Sequence, residues 1–159
     1  MLEPGTPAPP FSLESDTGET VSLDSLKGRP AVIYFYPKDD TPGCTRQASS
    51  IRDSWREFER IGAAVIGVSP QDRASHVKFK QKYDLPFPLL ADTEHRMAED
   101  YGVWVEKTNY GKTYMGIERS TFIVDAEGKL AAIKRRVKPD EHTEWALREV
   151  EKMTAEARS

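Results

Sequence analysis

One apolar run constrains the fold of this chain more than any other segment. Residues 31–36, Ala-Val-Ile-Tyr-Phe-Tyr, show no alternation of polar and apolar side chains, which is typical of a central strand covered on both faces. A second apolar run, residues 63–69, follows after a helical pattern. This β-α-β order predicts two parallel strands joined by a right-handed crossover. The chain is therefore expected to build an α/β sheet with helices packed on it.

The segment between the two runs predicts an amphipathic helix over residues 41–58. Its apolar positions recur at spacings of three and four and are Ala48, Ile51, Trp55 and Phe58. Thr41 suits the N-cap and Pro42 the first helical position, so Cys44 falls in the first turn. The N–H groups of a helix start can stabilise a thiolate there. Cys44 is the only cysteine, so it is either an inert buried thiol or a reactive one.

The remaining pattern completes the fold. Further predicted elements are, in chain order, a hairpin over 11–23, a helix over 72–83, a short helix over 92–101, a strand from 103, a hairpin over 120–133 and a helix from near 139. Their order predicts a thioredoxin-like α/β fold, in which helices flank a central mixed β-sheet and an N-terminal β-hairpin extends it. Residues 1–159 are expected to form a single domain.

Charge and hydropathy argue against two classes of partner. The formal net charge of -3 gives no electrostatic case for nucleic acid, and the basic run at 134–138 is interpreted as a solvated strand edge. No apolar stretch approaches the roughly 20 residues of a membrane span, and the N-terminus lacks the regions of a signal peptide. Together with the single cysteine, which suits a reducing compartment, this predicts a cytoplasmic protein without a membrane partner.

The residues around Cys44 carry a resemblance to a known family. Pro37, Thr41 and Cys44 match the pattern Pro-x-x-x-Thr-x-x-Cys, which resembles the active-site signature of peroxiredoxins. Residues 101–104 and 111–125 are similar to the bacterioferritin comigratory protein, or peroxiredoxin Q, subfamily. The similarity covers nearly the whole chain. It implies a monomeric thiol peroxidase that reduces hydrogen peroxide and organic hydroperoxides without a metal, haem or nucleotide cofactor.

The resemblance also implies roles for individual residues. Cys44 is the peroxidatic nucleophile, which attacks a peroxide oxygen as the thiolate and becomes a sulfenic acid. The Thr41 hydroxyl holds the peroxide oxygens in line for displacement. Arg119 supplies a fixed cation for the thiolate and the departing oxygen. Pro37 shields the pocket from water, and N–H groups near Gly43 and Cys44 complete the anion site.

Each candidate also has a purely structural interpretation. Thr41 alone is an ordinary N-cap, Pro37 a strand terminator and Arg119 a solvated strand entrance; their joint fit to one pattern favours the catalytic interpretation. Gln47, one turn beyond the cysteine, either hydrogen-bonds Arg119 or is exposed. Trp104 is either core or a wall of the pocket.

The histidines give no case for a metal site. His76, His95 and His142 lie in three separate predicted helical segments, without a second ligand at metal spacing. All three are interpreted as surface residues, and no metal is predicted.

Position 49 departs from the resembled subfamily. Many members carry a resolving cysteine five positions after the peroxidatic one, where this chain has Ser49. On an ideal helix these two Cα atoms lie roughly 8.6 Å apart, beyond the limit of ~7 Å for a disulfide, so such a pair needs the first turn to unwind. Ser49 marks either a natural one-cysteine form or an engineered Cys→Ser change. In both cases Cys44 needs an outside thiol, and the resemblance implies thioredoxin or a small-molecule thiol as the reductant.

Two other functions remain open at this point. One is a non-catalytic thioredoxin-fold module that binds a partner or holds unfolded clients as a chaperone. The other is a peroxide sensor, which shares the oxidation of Cys44 but passes it to the thiol of a partner protein.

Overall fold

The structure, a computed structural model, describes residues 2–158. In chain order its elements are β1 (Ser12–Glu14), β2 (Thr20–Ser22), α1 (Leu23–Leu26), β3 (Ala31–Phe35), α2 (Pro42–Asp53), α3 (Trp55–Arg60), β4 (Ala64–Ser69), α4 (Arg73–Tyr83), β5 (Leu89–Ala91), α5 (Arg96–Asp100), β6 (Trp104–Asn109), β7 (Lys112–Ile117), β8 (Ser120–Val124), β9 (Leu130–Arg135) and α6 (His142–Arg158). No helix within these residues is long and apolar enough to cross a membrane.

Five strands form the central sheet in the order β5-β4-β3-β8-β9. β3, β4 and β5 are parallel to one another, whereas β8 is antiparallel to β3 and β9 is antiparallel to β8. β1 and β2 pair as the predicted N-terminal hairpin. The predicted thioredoxin-like α/β fold with a mixed sheet is therefore confirmed. β3 takes the centre because its five residues are all buried, which suits a strand paired on both sides and covered on both faces.

The sheet separates two apolar cores, which alternate residues of β3 supply. Ile33 and Phe35 point into one core with residues of α5, which we call the α5-side core. Val32 and Tyr34 point into the other with residues of α2, including Cys44, which we call the α2-side core. Each fully buried side chain of this size contributes about 1.5–3 kcal/mol to folding. Cys44 is therefore held on a helix that is itself fixed by burial against β3.

The predicted helix over 41–58 is interrupted at Ser54, which separates α2 from α3. The Ser54 amide is shared between the carbonyls of Ser50 at 3.2 Å and Ile51 at 3.1 Å, a pattern typical of a helix end. Serine side chains compete with helical hydrogen bonding, which favours a break at this position. The apolar spacing continues across the break because both helices pack on the α2-side core.

Two local features differ from the sequence-based expectation. The hairpin of β6 and β7 was not predicted; its two-residue turn places Tyr110 and Gly111 at positive φ, as a type I′ turn requires. The helix predicted over 92–101 is shorter and begins at Arg96. The Asp92 carboxylate accepts hydrogen bonds from the amides of Met97 and Ala98, so a turn precedes the helix.

The interpretation of His76 and His142 as surface residues is wrong, because both are fully buried. The His142 ring, at the start of α6, lies 5.4 Å from the Tyr34 ring in the α2-side core. Burial, and to a smaller degree the charges of Arg119 and Lys134, lowers the pKa of His142 to about 3. The imidazole is therefore neutral in the folded chain near neutral pH.

A buried neutral histidine makes stability depend on pH with a defined sign. In the unfolded chain His142 binds a proton near its ordinary pKa of about 6.5, whereas in the folded chain it does so near 3. The unfolded state therefore binds more protons between these values, and the free energy of unfolding falls as pH falls through this window.

We expect His142→Phe to reduce this slope by up to about 1 kcal/mol per pH unit, measured by denaturant titrations from about pH 7 to about pH 4. Neither ring nitrogen has a hydrogen-bond partner among the described residues, so a phenyl ring can replace the imidazole. Comparison with the unsubstituted chain cancels the other titrating groups. An unchanged slope would show that folding does not lower the pKa of His142.

Candidate active site

Cys44 lies in the first turn of α2, and only 1% of its surface is exposed. Residues 36–41 connect the carboxyl end of β3 to this helix, and Pro42 takes the first helical position, as predicted. The N–H groups of a first turn have no partner within their own helix. Cys44 therefore lies where a helix carries partial positive charge.

Thr41 occupies the N-cap position, but its hydroxyl does not cap the helix. Its backbone is extended, with φ −99° and ψ 155°. Its Oγ1 donates a hydrogen bond to the carbonyl of Lys38 at 2.9 Å, which closes the loop. Within the described part of the chain, its side chain accepts no amide hydrogen bond from the first turn of α2. Because the hydroxyl hydrogen is already used, the oxygen lone pairs are available to another donor.

Arg119 reaches Cys44 from the strand next to β3. The antiparallel register places Ser120 opposite Phe35, so Arg119 lies at the edge of the sheet where β3 ends. Its Nη2 donates to Cys44 Sγ at 3.3 Å, and its Nη1 donates to Gln47 Oε1 at 2.5 Å. Gln47 is fully buried, so the exposed interpretation of this residue is wrong. The guanidinium is thus held in place by one contact and faces the sulfur with the other.

Gly43 permits this close approach. A Cβ atom at position 43 would lie 3.2 Å from Arg119 Nη2, tighter than an ordinary contact, and 3.4 Å from Pro139 Cγ. Sequence reasoning named Gly43 only for its backbone N–H and did not find Pro139. No spacing in the sequence links residue 139 to the first turn of α2.

The aromatic neighbours of Cys44 remain uncharged. Burial, followed by the charges of Cys44 and Asp39, raises the pKa of Tyr34, while Arg119 opposes this shift. Burial is also the main cause that raises the pKa of Tyr36, to which Tyr34, Asp39 and Cys44 add. Sequence reasoning missed both tyrosines, although Tyr34 in β3 and Tyr36 directly after it alternate with Phe35 and so lie on the side of α2. The two tyrosines therefore place no negative charge beside the sulfur, and the positively charged group that contacts it is Arg119.

Comparison with known proteins shows the family to which this chain belongs. The model of the AhpC/TSA family matches residues 4–133. The chain belongs to the AhpC/TSA family. It is 50% identical over 153 residues to peroxiredoxin Bcp of Bacillus subtilis, covering 96% of this chain and 98% of that protein. It is 41% identical over 146 residues to peroxiredoxin Bcp of Escherichia coli K12, covering 92% and 94%.

A solved structure supports the same assignment. It comes from work on the alkyl peroxide reduction activity of the bacterioferritin comigratory protein of Xanthomonas campestris. That chain matches with a TM-score of 0.86 and 36% identity, covering 90% of this chain and 91% of the other. The predicted peroxiredoxin subfamily and enzyme class are confirmed.

The remaining candidate site residues of this peroxiredoxin are Pro37, Ser49 and Trp104. Pro37 is half-buried two residues after the end of β3, and its carbonyl accepts a hydrogen bond from Ser69 Oγ at 3.5 Å. Ser49 is half-buried on α2. Trp104 stacks on His95 with ring centroids 4.1 Å apart and packs against the α5-side core, across the sheet from Cys44. Trp104 is therefore a core residue of the opposite face.

Within residues 2–158 no group of three or more His, Cys, Asp or Glu side chains is arranged to hold a metal ion. The groups that surround the sulfur in this peroxiredoxin include the start of α2 and the Arg119 guanidinium.

Gly43→Ala tests whether the glycine sets the position of the guanidinium. The added carbon should displace Arg119 from Cys44, and we expect alkylation of Cys44 by iodoacetamide near pH 7 to slow several-fold. Alanine favours a helix over glycine by up to about 1 kcal/mol, so the melting temperature should not fall in parallel. Ser50→Ala on the same helix is the matched control. Equal alkylation rates for Gly43→Ala and the control would contradict this role.

Proposed function

We propose that Cys44 of this peroxiredoxin reduces hydrogen peroxide and organic hydroperoxides as its thiolate. The observation that carries the proposal is the contact of 3.3 Å between Arg119 Nη2 and Cys44 Sγ at the start of α2. In the reaction the sulfur forms a bond to one peroxide oxygen while the O–O bond breaks. Two electrons leave the sulfur, the second oxygen departs with a proton as water or an alcohol, and Cys44 becomes a sulfenic acid.

The surrounding groups have complementary roles in this proposal. The Arg119 guanidinium stabilises the thiolate before the reaction and the charge on the departing oxygen during it. The Thr41 hydroxyl donates to Lys38, so its oxygen can accept a hydrogen bond from the peroxide O–H and orient it. Pro37 excludes water beside the loop. The N–H groups of Gly43 and Cys44 complete the anion site.

Regeneration of the thiol requires a second molecule. The chain has one cysteine, so the sulfenic acid has no intramolecular thiol to react with. We propose thioredoxin or a small-molecule thiol as the reductant, in a single domain over residues 1–159 that acts as a monomer in the cytoplasm. A reducing compartment supplies such thiols. A peroxide sensor would share the first step and differ only in passing the oxidation to one partner protein.

The decisive measurement mixes the reduced protein with peroxide in a stopped-flow instrument. We expect a change in Trp fluorescence and, by mass spectrometry of peptides, one oxygen added at Cys44. Cys44→Ser should show neither change. An unmodified thiol after excess peroxide would rule out the proposal, and a mixed disulfide trapped with one specific protein would favour the sensor.

Arg119 variants separate a peroxidase from a non-catalytic module. Arg119→Ala removes the preorganised cation, and we expect the rate of Cys44 oxidation to fall about 100-fold. Arg119→Lys keeps the charge but loses the paired donors toward Gln47 and Cys44, so an intermediate rate is expected. A module that only binds clients would tolerate both substitutions with unchanged reactivity of Cys44.

Ser49→Cys tests the missing half of the cycle. On an intact helix the two Cα atoms would lie roughly 8.6 Å apart, so a disulfide with Cys44 forms only if the first turn of α2 unwinds. We expect peroxide to convert this variant to an intramolecular disulfide, seen as the loss of two hydrogens by mass, with a decrease in helical circular dichroism. A sulfenic acid that persists as in the unsubstituted chain would show that the first turn stays closed.

A further inference from the structure

A buried polar network holds the loop between β3 and α2 from the side of α4. Asp39 of this loop and His76 of α4 are both buried. The Tyr36 hydroxyl donates to Asp39 Oδ1 at 2.6 Å, and the Ser75 hydroxyl donates to Oδ2 at 2.7 Å. His76 Nδ1 lies 2.7 Å from the same Oδ2, while its Nε2 lies 2.9 Å from the carbonyl of Leu90. Neither Asp39 nor His76 has a part in the reaction described above.

The partners of His76 determine how many protons its ring carries. A carbonyl oxygen can only accept, so Nε2 must carry a hydrogen toward Leu90. An ionised carboxylate likewise only accepts, so beside an ionised Asp39 the Nδ1 atom carries a second hydrogen. The Tyr36 hydroxyl, the Ser75 hydroxyl and the His76 ring converge on this carboxylate. The geometry therefore corresponds to an imidazolium paired with a buried carboxylate.

The loop between β3 and α2 contains an unfavourable backbone conformation, which its attachments to α4 stabilise. Asp40 adopts a left-handed backbone with φ 57°, which is uncommon for residues other than glycine. Its carboxylate is held by Lys82 Nζ at 2.7 Å and the Tyr83 hydroxyl at 2.5 Å, again from α4 and at an exposed position. Asp39 supplies the buried attachment next to it. Both attachments join this loop to α4, although α4 contributes no group to the reaction.

We propose that Asp39 and His76 form a buried ion pair that positions the loop of residues 37–41, and with it Thr41, for the reaction with peroxide. The inference rests on the proposed function of Cys44. Asp39 lies midway between Pro37 and Thr41 in the chain, and Tyr36, which donates to it, packs in the α2-side core with Cys44. Asp39 and His76 are positioning residues, since they act on the reaction through the loop.

Asp39→Asn and Asp39→Ala distinguish positioning from charge. The amide of Asp39→Asn can accept from Tyr36 through its oxygen and donate through its nitrogen to Ser75 Oγ and His76 Nδ1. His76 is then satisfied as the neutral ring with its hydrogen on Nε2 toward Leu90. Asp39→Ala removes every contact and leaves buried polar groups unpaired.

The first readout is nitrogen NMR of the His76 ring, which does not depend on peroxide. We expect both ring nitrogens to be protonated in the unsubstituted chain at neutral pH and Nδ1 to lose its proton in Asp39→Asn. The charged and titratable groups near Asp39 are Tyr36, directly after β3, Asp40 of the loop, and Lys78 and Lys82 of α4. A singly protonated His76 ring in the unsubstituted chain would overturn the ion pair.

The second readout compares two reactions of Cys44 below the melting temperature of each variant. Positioning of Thr41 matters for the in-line attack on peroxide, whereas alkylation by iodoacetamide reports the thiolate beside Arg119. We expect Asp39→Ala to slow peroxide oxidation about 10-fold or more with alkylation changed less than about 3-fold, and Asp39→Asn to retain the peroxide rate within about 3-fold. Parallel loss of both reactions, or an Asp39→Asn variant as slow as Asp39→Ala, would overturn positioning.

Tyr36→Phe keeps the inference testable if Asp39→Ala does not fold. It removes one donor to Asp39 and preserves the buried ring, so we expect a smaller but selective loss of the peroxide rate. An unchanged peroxide rate in Tyr36→Phe, or in Asp39→Ala where that variant folds, would contradict the inference while leaving the proposed function intact. If the unsubstituted chain fails to react with peroxide, the proposed function fails, and the positioning role fails with it. The NMR readout still decides the ion pair.

Discussion

The pairing of β3 with β8 is the constraint on which the site depends. Their antiparallel register opposes Phe35 to Ser120, so the residue just before β8 lies beside the residues just after β3. Arg119 and Cys44 meet at this edge although 75 positions separate them in the chain. A slip of one residue would turn every β8 side chain to the other face of the sheet and withdraw the guanidinium. Burial of all five residues of each strand in two cores opposes such a slip.

Local features of the fold could be predicted from the sequence because they depend on neighbouring residues. The central strand follows from its uninterrupted apolar run, and Pro42 after Thr41 places Cys44 in the first turn. Arg119 is different, because only the resemblance to a family singled it out. Its contact with Gln47 depends on the register of two strands, which spacing along the chain does not contain.

The errors have equally specific causes. The sequence analysis places His76 and His142 at the surface because histidine is polar, although each continues an apolar helical stripe. His142 lies four positions before buried Ala146, and His76 three positions before buried Phe79. That periodicity is the signal that could have found them. The sequence does not predict the hairpin of β6 and β7, because Tyr110 occupies a turn position where Asn, Asp or Gly is usual.

Burial of the Cys44 thiol limits its access to a reductant more than its access to a peroxide. A small peroxide can reach a recessed sulfur, but the thiol of a reductant needs contact with an atom of a residue that is only 1% exposed. Under the proposed function the first turn of α2 must therefore open during regeneration. At 12 residues, α2 is of a length that is marginal in isolation, so packing and the Arg119 contact supply much of its stability.

Oxidation of Cys44 weakens its contact with Arg119, which favours the opening of α2 that regeneration requires. A thiolate is a charged partner for the guanidinium, and hydrogen bonds between charged groups are roughly twice as strong as neutral ones. A neutral sulfenic acid replaces this charge, so the contact that holds the reduced turn closed weakens once the peroxide has reacted. The Arg119 contact with Gln47 uses the other guanidinium nitrogen and involves no atom of Cys44, so loss of the thiolate removes only one of the two contacts directly.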